Sequence, residues 1–131
     1  MLIPLFAAIA PFVVWPIEIF FPYPHIVEEI TKAVLIFFLL KSPTTTQKIS
    51  GTILIGFLFA FSENVLYLFN ILPSGNTHSL LLRFVLTLPM HVLTSLIIVG
   101  PALINKRLIF AGILMAGLIH YLFNISVAML Q

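Results

Sequence analysis

Residues 49–72 read ISGTILIGFLFAFSENVLYLFNIL and contain a single charged residue, Glu63. A run of this length matches the roughly 20 apolar residues that an α-helix needs to cross a bilayer. The run is too long for a β-strand and lacks the polar–apolar alternation of membrane β-barrels. It therefore predicts a transmembrane helix that carries a carboxylate inside the apolar layer.

Four further apolar stretches accompany this one and cover residues 2–21, 26–40, 80–104 and 108–130. Of the 131 residues, 61% are hydrophobic and 8% are charged, and the mean hydropathy is +1.20. Soluble domains carry about 25% charged residues, and disordered chains combine low hydrophobicity with high net charge. We therefore predict one integral-membrane domain over residues 1–131, an all-α polytopic transmembrane helix bundle of about five spans.

The composition also excludes several function classes. The net charge is +2 and the six basic residues are scattered, so no cationic surface for nucleic acid is expected. The absence of cysteine excludes disulfides and thiolate metal sites. Residues 1–21 lack a basic segment at their start, so we interpret them as a retained span rather than a signal peptide.

The basic loops predict the orientation of the chain in the membrane. Lys41 and Lys48 lie between the second and third stretches, and Lys106 and Arg107 lie between the fourth and fifth. Cytoplasmic loops carry an excess of Lys and Arg. With five spans, both basic loops are cytoplasmic, the N-terminus is cytoplasmic and the C-terminus is extracytoplasmic. A re-entrant first segment would keep these loops inside and move the N-terminus outside.

The remaining charges lie in or beside the apolar stretches, where each costs at least ~2.5 kcal/mol near the bilayer centre. An intramembrane ionisable residue is by default a functional candidate, and the alternative is a structural ion pair that specifies helix packing. The residues concerned are Glu18, Glu28, Glu29, Lys32, Glu63, Arg83, His91 and His120.

The spacing of these residues indicates a shared site. Glu28 and Glu29 can both reach Lys32, because they lie four and three residues before it on a helix. Because Lys32 neutralises one of the two carboxylates in an ion pair, the other has no counter-charge, and such a carboxylate can act as a general base. His120 and Asn124 share a helix face. In the predicted topology these groups meet in the central to outer part of the bilayer, together with Glu63 and His91, and they form an inventory suited to hydrolysis.

Four motifs, in order along the chain, resemble those of PrsW-type intramembrane proteases. These proteases belong to a wider group with the CAAX prenyl proteases and bacteriocin-processing enzymes. The motifs are EExxK at Glu28, Glu29 and Lys32; FxxxEN at Phe59, Glu63 and Asn64; a segment from Arg83 through His91 to Thr94; and HxxxN at His120 and Asn124.

The resemblance implies a membrane-embedded endopeptidase and a role for each motif residue. Glu28 would activate the attacking water, with Glu29 as a supporting carboxylate, and His120 and Asn124 would stabilise the oxyanion. CAAX-type relatives carry a histidine where this chain has Glu63, so we expect His91 to share the water-positioning role. The supporting residues would be Lys32, Asn64 and Arg83.

The resemblance also implies a substrate, a single-pass membrane protein of the anti-sigma-factor type, cut near the extracytoplasmic side of the cell membrane. Glu63, His91 and His120 could supply three zinc ligands, although no HExxH pair is present. We slightly favour metal-free, glutamate-based hydrolysis. Two other functions use the same buried groups, namely a proton or cation transporter and a non-catalytic membrane scaffold.

We predict that an epitope at the N-terminus is protected in intact cells and that one at the C-terminus is accessible, because five spans put the two ends on opposite sides. Antibody binding before and after permeabilisation measures this. Accessibility of the N-terminal epitope in intact cells would instead support the four-span topology.

Overall fold

The computed structural model describes residues 2–71 and 77–129, and this part of the chain is helical apart from short connections. The elements are α1 (Ile3–Phe20), α2 (Pro24–Leu39), α3 (Thr45–Ile71), α4 (Thr77–Ile104), a 3₁₀ turn (Lys106–Leu108) and α5 (Ile109–Ala128). No strand occurs in these two ranges, so the all-α prediction is confirmed. Most of the predicted loop at 73–78 lies outside the described residues.

Three segments of the described chain are long and apolar enough to cross a membrane: Thr45–Phe69, Leu81–Ile104 and Lys106–Ala128. The prediction of a membrane helix bundle is thereby confirmed. Helices α1 and α2 have 18 and 16 residues, hence lengths of about 27 and 24 Å at ~1.5 Å per residue. Five spans therefore stay a prediction, since the two N-terminal helices fall short of the bilayer core.

Helix α2 occupies the centre of the bundle, since it packs against each of the other four α-helices. Its buried side chains include four polar ones, those of His25, Glu28, Glu29 and Lys32. A helix with this many polar groups is costly to expose to lipid. The surrounding helices remove that cost, because they enclose the polar face and turn apolar side chains outward.

The apolar core and the polar cluster lie at opposite ends of the bundle. The core includes Ile36 and Leu39 near the end of α2, Val99 near the end of α4, and Ile109 at the start of α5. This is the end that carries the basic turns. The buried Glu and His side chains lie further from those turns along each helix. The apolar end fixes the helices against one another, and the other end is left for polar chemistry.

Gly56 lets α3 and α4 approach closely beside this cluster. A Cβ at position 56 would lie 2.7 Å from the carbonyl oxygen of His91 and 2.7 Å from the Cα of Val92. Both are backbone atoms and cannot rotate away. A hydrogen in place of a side chain is therefore required for the observed distance between α3 and His91.

We predict that Gly56→Ala lowers the stability of the detergent-solubilised protein by about 1–3 kcal/mol, because the added methyl forces two helices apart. Thermal unfolding followed by circular dichroism measures this. The matched control is Gly117→Ala in α5, where an added Cβ meets no atom within 4 Å. Equal melting temperatures for the two variants would contradict the close α3–α4 contact.

Candidate active site

Lys32 is the centre of the polar cluster and is fully buried. Its Nζ lies 2.7 Å from Glu29 Oε1 on the same helix, which confirms the expected intrahelical pair. It also donates to Thr94 Oγ1 on α4 at 2.7 Å and lies 3.2 Å from His91 Nδ1. The ammonium group therefore has three polar neighbours, two of them on another helix, and so links α2 to α4.

Glu29 also orients His120 from α5. His120 Nδ1 lies 2.7 Å from Glu29 Oε1, and the carboxylate accepts the ring hydrogen at this distance. The other ring nitrogen, Nε2, then carries a lone pair and lies 3.6 Å from Glu28 Oε2. A carboxylate behind a histidine in this way is the usual support of a metal-binding imidazole.

His91 from α4 approaches the same point from the other side. Its ring is fully buried and packs edge-on against the His120 ring, with 5.0 Å between centroids. His91 Nε2 lies 2.5 Å from Glu63 Oε2 and 4.0 Å from Glu28 Oε2. Glu63 Oε2 is thus paired with His91 Nε2, whereas Glu28 Oε2 makes no hydrogen bond within the described part of the chain. A buried carboxylate oxygen that faces two imidazoles without a hydrogen bond is the arrangement that a shared cation would satisfy.

Glu63 is held from the opposite side by Arg83. Arg83 Nη2 donates to Glu63 Oε1 at 3.4 Å, and the guanidinium lies 3.5 Å from the centroid of the Tyr67 ring. Stacking on an aromatic face restricts the orientation of the guanidinium. Arg83 thus fixes one oxygen of Glu63 and leaves the other directed at the histidines.

The ligand atoms of Glu28, His91 and His120 lie within 4.8 Å of one another. The sequence suggested Glu63, His91 and His120 as the three zinc ligands. In the structure Glu28, and not Glu63, forms the group of three with the two histidines. Two zinc ligands at ~2.0–2.1 Å from a tetrahedral ion are about 3.3 Å apart. The Glu28 contacts of 3.6 and 4.0 Å are close to this spacing, whereas Glu63 Oε2 lies only 2.5 Å from His91 Nε2.

The Lys32 contact bears on whether His91 can bind a metal. An ammonium group only donates, so an accepting Nδ1 would leave the ring hydrogen on Nε2. Metal binding through Nε2 requires the reverse. The two other Lys32 partners, Glu29 and Thr94, lie closer, at 2.7 Å against 3.2 Å for His91. Two imidazoles and a carboxylate fit a metal once the Nδ1 hydrogen of His91 turns away from the ammonium, and Lys32 keeps its two shorter contacts in that form.

A cavity of about 140 Å³ opens beside this cluster, between helices α2 to α5. Glu28, Glu63 and His120 line it, together with Arg83 and Asn124. The predicted HxxxN pair, His120 and Asn124, is thus brought to one cavity with the two carboxylates, although the Asn124 side chain is exposed.

Asn64 differs from the other predicted site residues. It is buried, but its Nδ2 donates to the carbonyl of Ala60, one turn earlier on α3, at 2.9 Å. This hydrogen bond stays within α3 and does not reach the cluster residues. The contact therefore stabilises α3 rather than the position of a cluster side chain.

Thr94 and Glu18 are the residues for which sequence reasoning assigned no role. Thr94 follows His91 by three residues, so a helical face shared with His91 was the available signal. Glu18 was recognised only as a charge in an apolar stretch. In the structure Glu18 lines a second cavity with Glu28 and Glu63.

Comparison with known proteins identifies the family. The family model described as "PrsW family intramembrane metalloprotease" matches residues 9–131, which is most of the chain and includes all four motifs. No curated protein and no solved structure gives a significant match. The buried Glu–His cluster and the family match agree on a membrane-embedded protease. The chain belongs to the PrsW family of intramembrane metalloproteases.

Proposed function

We propose that this protein is a metal-dependent endopeptidase that cleaves a single-pass membrane protein of the anti-sigma-factor type near the extracytoplasmic side of the cell membrane. The observation that carries the proposal is the convergence of Glu28, His91 and His120, whose ligand atoms lie within 4.8 Å of one another. In a dry interior such groups need a common partner, and two imidazoles with one carboxylate are the ligand set of many catalytic zinc sites.

The metal would be held by Glu28, His91 and His120. When bound there, a zinc ion would supply Lewis acidity for the peptide carbonyl and acidify the attacking water. Glu29 would hold His120 through its Nδ1, and Thr94 would keep its hydrogen bond from Lys32. In this proposal Glu28 is a metal ligand and not the base that the sequence suggested, and the position of Glu28 Oε2 near both imidazoles supports the ligand role.

Glu63 would then be the general base. Its Oε2 borders the cluster and pairs with His91 Nε2, a contact that metal binding by His91 would release for water, while Oε1 is held by Arg83. Glu63 would take a proton from the attacking water and deliver it to the amide nitrogen as the C–N bond breaks. Transfer to the nitrogen returns Glu63 to its starting form, so the cycle needs no further proton donor.

The scissile peptide would lie in the cavity of about 140 Å³ that helices α2 to α5 enclose. Asn124 can donate two hydrogen bonds through its amide, and a donor aimed at the carbonyl oxygen stabilises the negative charge that develops there. Asn124 thus retains the oxyanion role that the sequence suggested. His120, which was expected to share it, is assigned to the metal.

The position of the cluster supports cleavage near the extracytoplasmic side. Glu28 lies in the second turn of α2, and Lys41 follows the other end of this helix. Basic turns are cytoplasmic by the positive-inside rule. The ligands therefore lie towards the opposite face, where a substrate helix would leave the bilayer.

We predict that Glu28→Gln and Glu63→Gln each lower the rate of cleavage by a factor of at least ~10². This is a typical size for the loss of a catalytic acid–base or ligand group. They should differ in metal content. Glu28→Gln should lose zinc because it removes a ligand, whereas Glu63→Gln should keep it. Zinc per purified protein and cleavage of a single-pass reporter in proteoliposomes measure the two effects.

The wild-type protein should lose activity in a chelator and regain it with zinc. Activity that survives chelation in protein without zinc would restore the metal-free mechanism with Glu28 as the base. Loss of zinc from Glu63→Gln alone would make Glu63 the ligand instead of Glu28.

We predict that Glu29→Gln weakens zinc binding by about 10–100-fold, because His120 loses the carboxylate that orients it. Competition with a chromogenic chelator measures the affinity. Ser126→Ala in α5, the helix of His120, is the control, since the Ser126 hydroxyl is exposed and donates to the carbonyl of Leu122 one turn earlier. Unchanged affinity in Glu29→Gln would show that the Glu29–His120 contact does not support the metal.

A further inference from the structure

Glu18 is a charged residue of the first apolar stretch that belongs to none of the four motifs. It lies in the last turn of α1, and its side chain is half-buried. Its Oε1 atom is buried and has no hydrogen-bond partner among the described residues. Buried polar atoms without a protein partner are usually satisfied by water. Glu18 therefore indicates a place where water enters the bundle.

The cavity that Glu18 lines lies between α1, α2 and α3 and has a volume of about 80 Å³. At ~30 Å³ each, it has room for about two water molecules. Glu28 and Glu63, which are 7% and 9% exposed, line the same cavity. Glu28 Oε2 makes no hydrogen bond among the described residues, and Glu63 Oε2 lies 2.5 Å from His91 Nε2. If Glu28 binds the metal, the carboxylates of Glu18 and Glu63 remain as acceptors that can hold water in this cavity.

Glu28 and Glu63 also line the larger cavity that contains Arg83 and Asn124. The two carboxylates therefore separate a small cavity at α1 from a larger one at α5. Peptide hydrolysis adds OH to the carbonyl carbon and H to the nitrogen, so each turnover consumes one water. A peptide in the larger cavity would block the approach from that side, and the replacement water must come from the other.

We propose that the cavity between α1, α2 and α3 supplies the water for hydrolysis and that Glu18 is a positioning residue that keeps water there. The inference rests on the proposed function and extends it with a separate route for each reactant. Water enters past the partly exposed Glu18 side chain, is held between Glu18 Oε1 and Glu63 Oε2, and is consumed at Glu63.

The first test compares Glu18→Leu with Glu18→Gln in the reporter assay. Leucine removes the acceptor, so kcat should fall at least about tenfold, since a misplaced reactant loses that much or more. KM should stay within about twofold, because the peptide binds in the other cavity. Glutamine should restore most of kcat, because its amide still bonds water. Ile17→Leu, a change of an exposed neighbour, should leave both constants unaltered.

The second test uses the absence of cysteine from the chain. The Glu18→Cys variant contains one thiol, at position 18. A small charged methanethiosulfonate reagent reacts only with thiols that contact water. Ile17→Cys and Ile19→Cys are neighbours on α1 whose native side chains are 55% and 60% exposed on the outside of the bundle, the surface expected to face lipid. Glu18→Cys should react at least about tenfold faster than either, since thiolate chemistry needs water.

The outcomes separate this inference from the proposed function. A wild-type protein that cleaves no reporter overturns proteolysis, while thiol reactivity still decides whether the cavity holds water. A cleaving wild type whose kcat survives Glu18→Leu overturns the role of Glu18 alone. If Glu18→Leu fails to fold, equal reactivity of the three thiols overturns the water route and faster reaction at position 18 supports it.

Discussion

The enclosure of the Lys32 ammonium is the constraint on which the remaining structure depends. A cation with no solvent contact is tolerable only if its hydrogen atoms all meet acceptors and its charge meets a carboxylate. Glu29 supplies the charge from the same helix, and Thr94 and, in the metal-free form, His91 supply acceptors from α4. The pair thus determines both how α2 is rotated and how deep α4 lies beside it.

The geometry of the reactive groups follows from that rotation. With Glu29 turned to Lys32, its shared oxygen also reaches His120, so α5 is tied to the same centre. Glu28, the adjacent residue, is then directed to the space between the two imidazoles. Gly56 allows α3, the helix that carries Glu63, to pack closely against α4, and Glu63 Oε2 thereby lies 2.5 Å from His91 Nε2. One buried ion pair therefore positions residues from four helices, and the apolar end of the bundle prevents them from separating.

Much of this could be predicted from the sequence, and the rest depends on helix rotation. The apolar stretches gave the five helices to within a few residues, and the three-residue spacing of Glu29 and Lys32 gave their contact. The choice between Glu28 and Glu63 as partner of both imidazoles could not be read from spacing, because it depends on how α2 and α3 turn relative to α4 and α5. Glu18 was recognisable as an unusual charge, but its cavity exists only once three helices pack. Helices α1 and α2 are shorter than the bilayer core, and whether their neighbours compensate is a property of the assembled bundle.

The central place of the most polar helix has a consequence for how the protein is made. An isolated helix with Glu28, Glu29 and Lys32 would partition poorly into lipid, since each charge costs about 2.5–3.5 kcal/mol at the centre of an inserting helix. Its partners Thr94 and His120 are synthesised more than sixty residues later. Stable insertion of α2 must therefore wait for α4 and α5, so biogenesis depends on the C-terminal half. Truncated chains that end before α4 would be expected to present this helix to the quality-control proteases of the membrane.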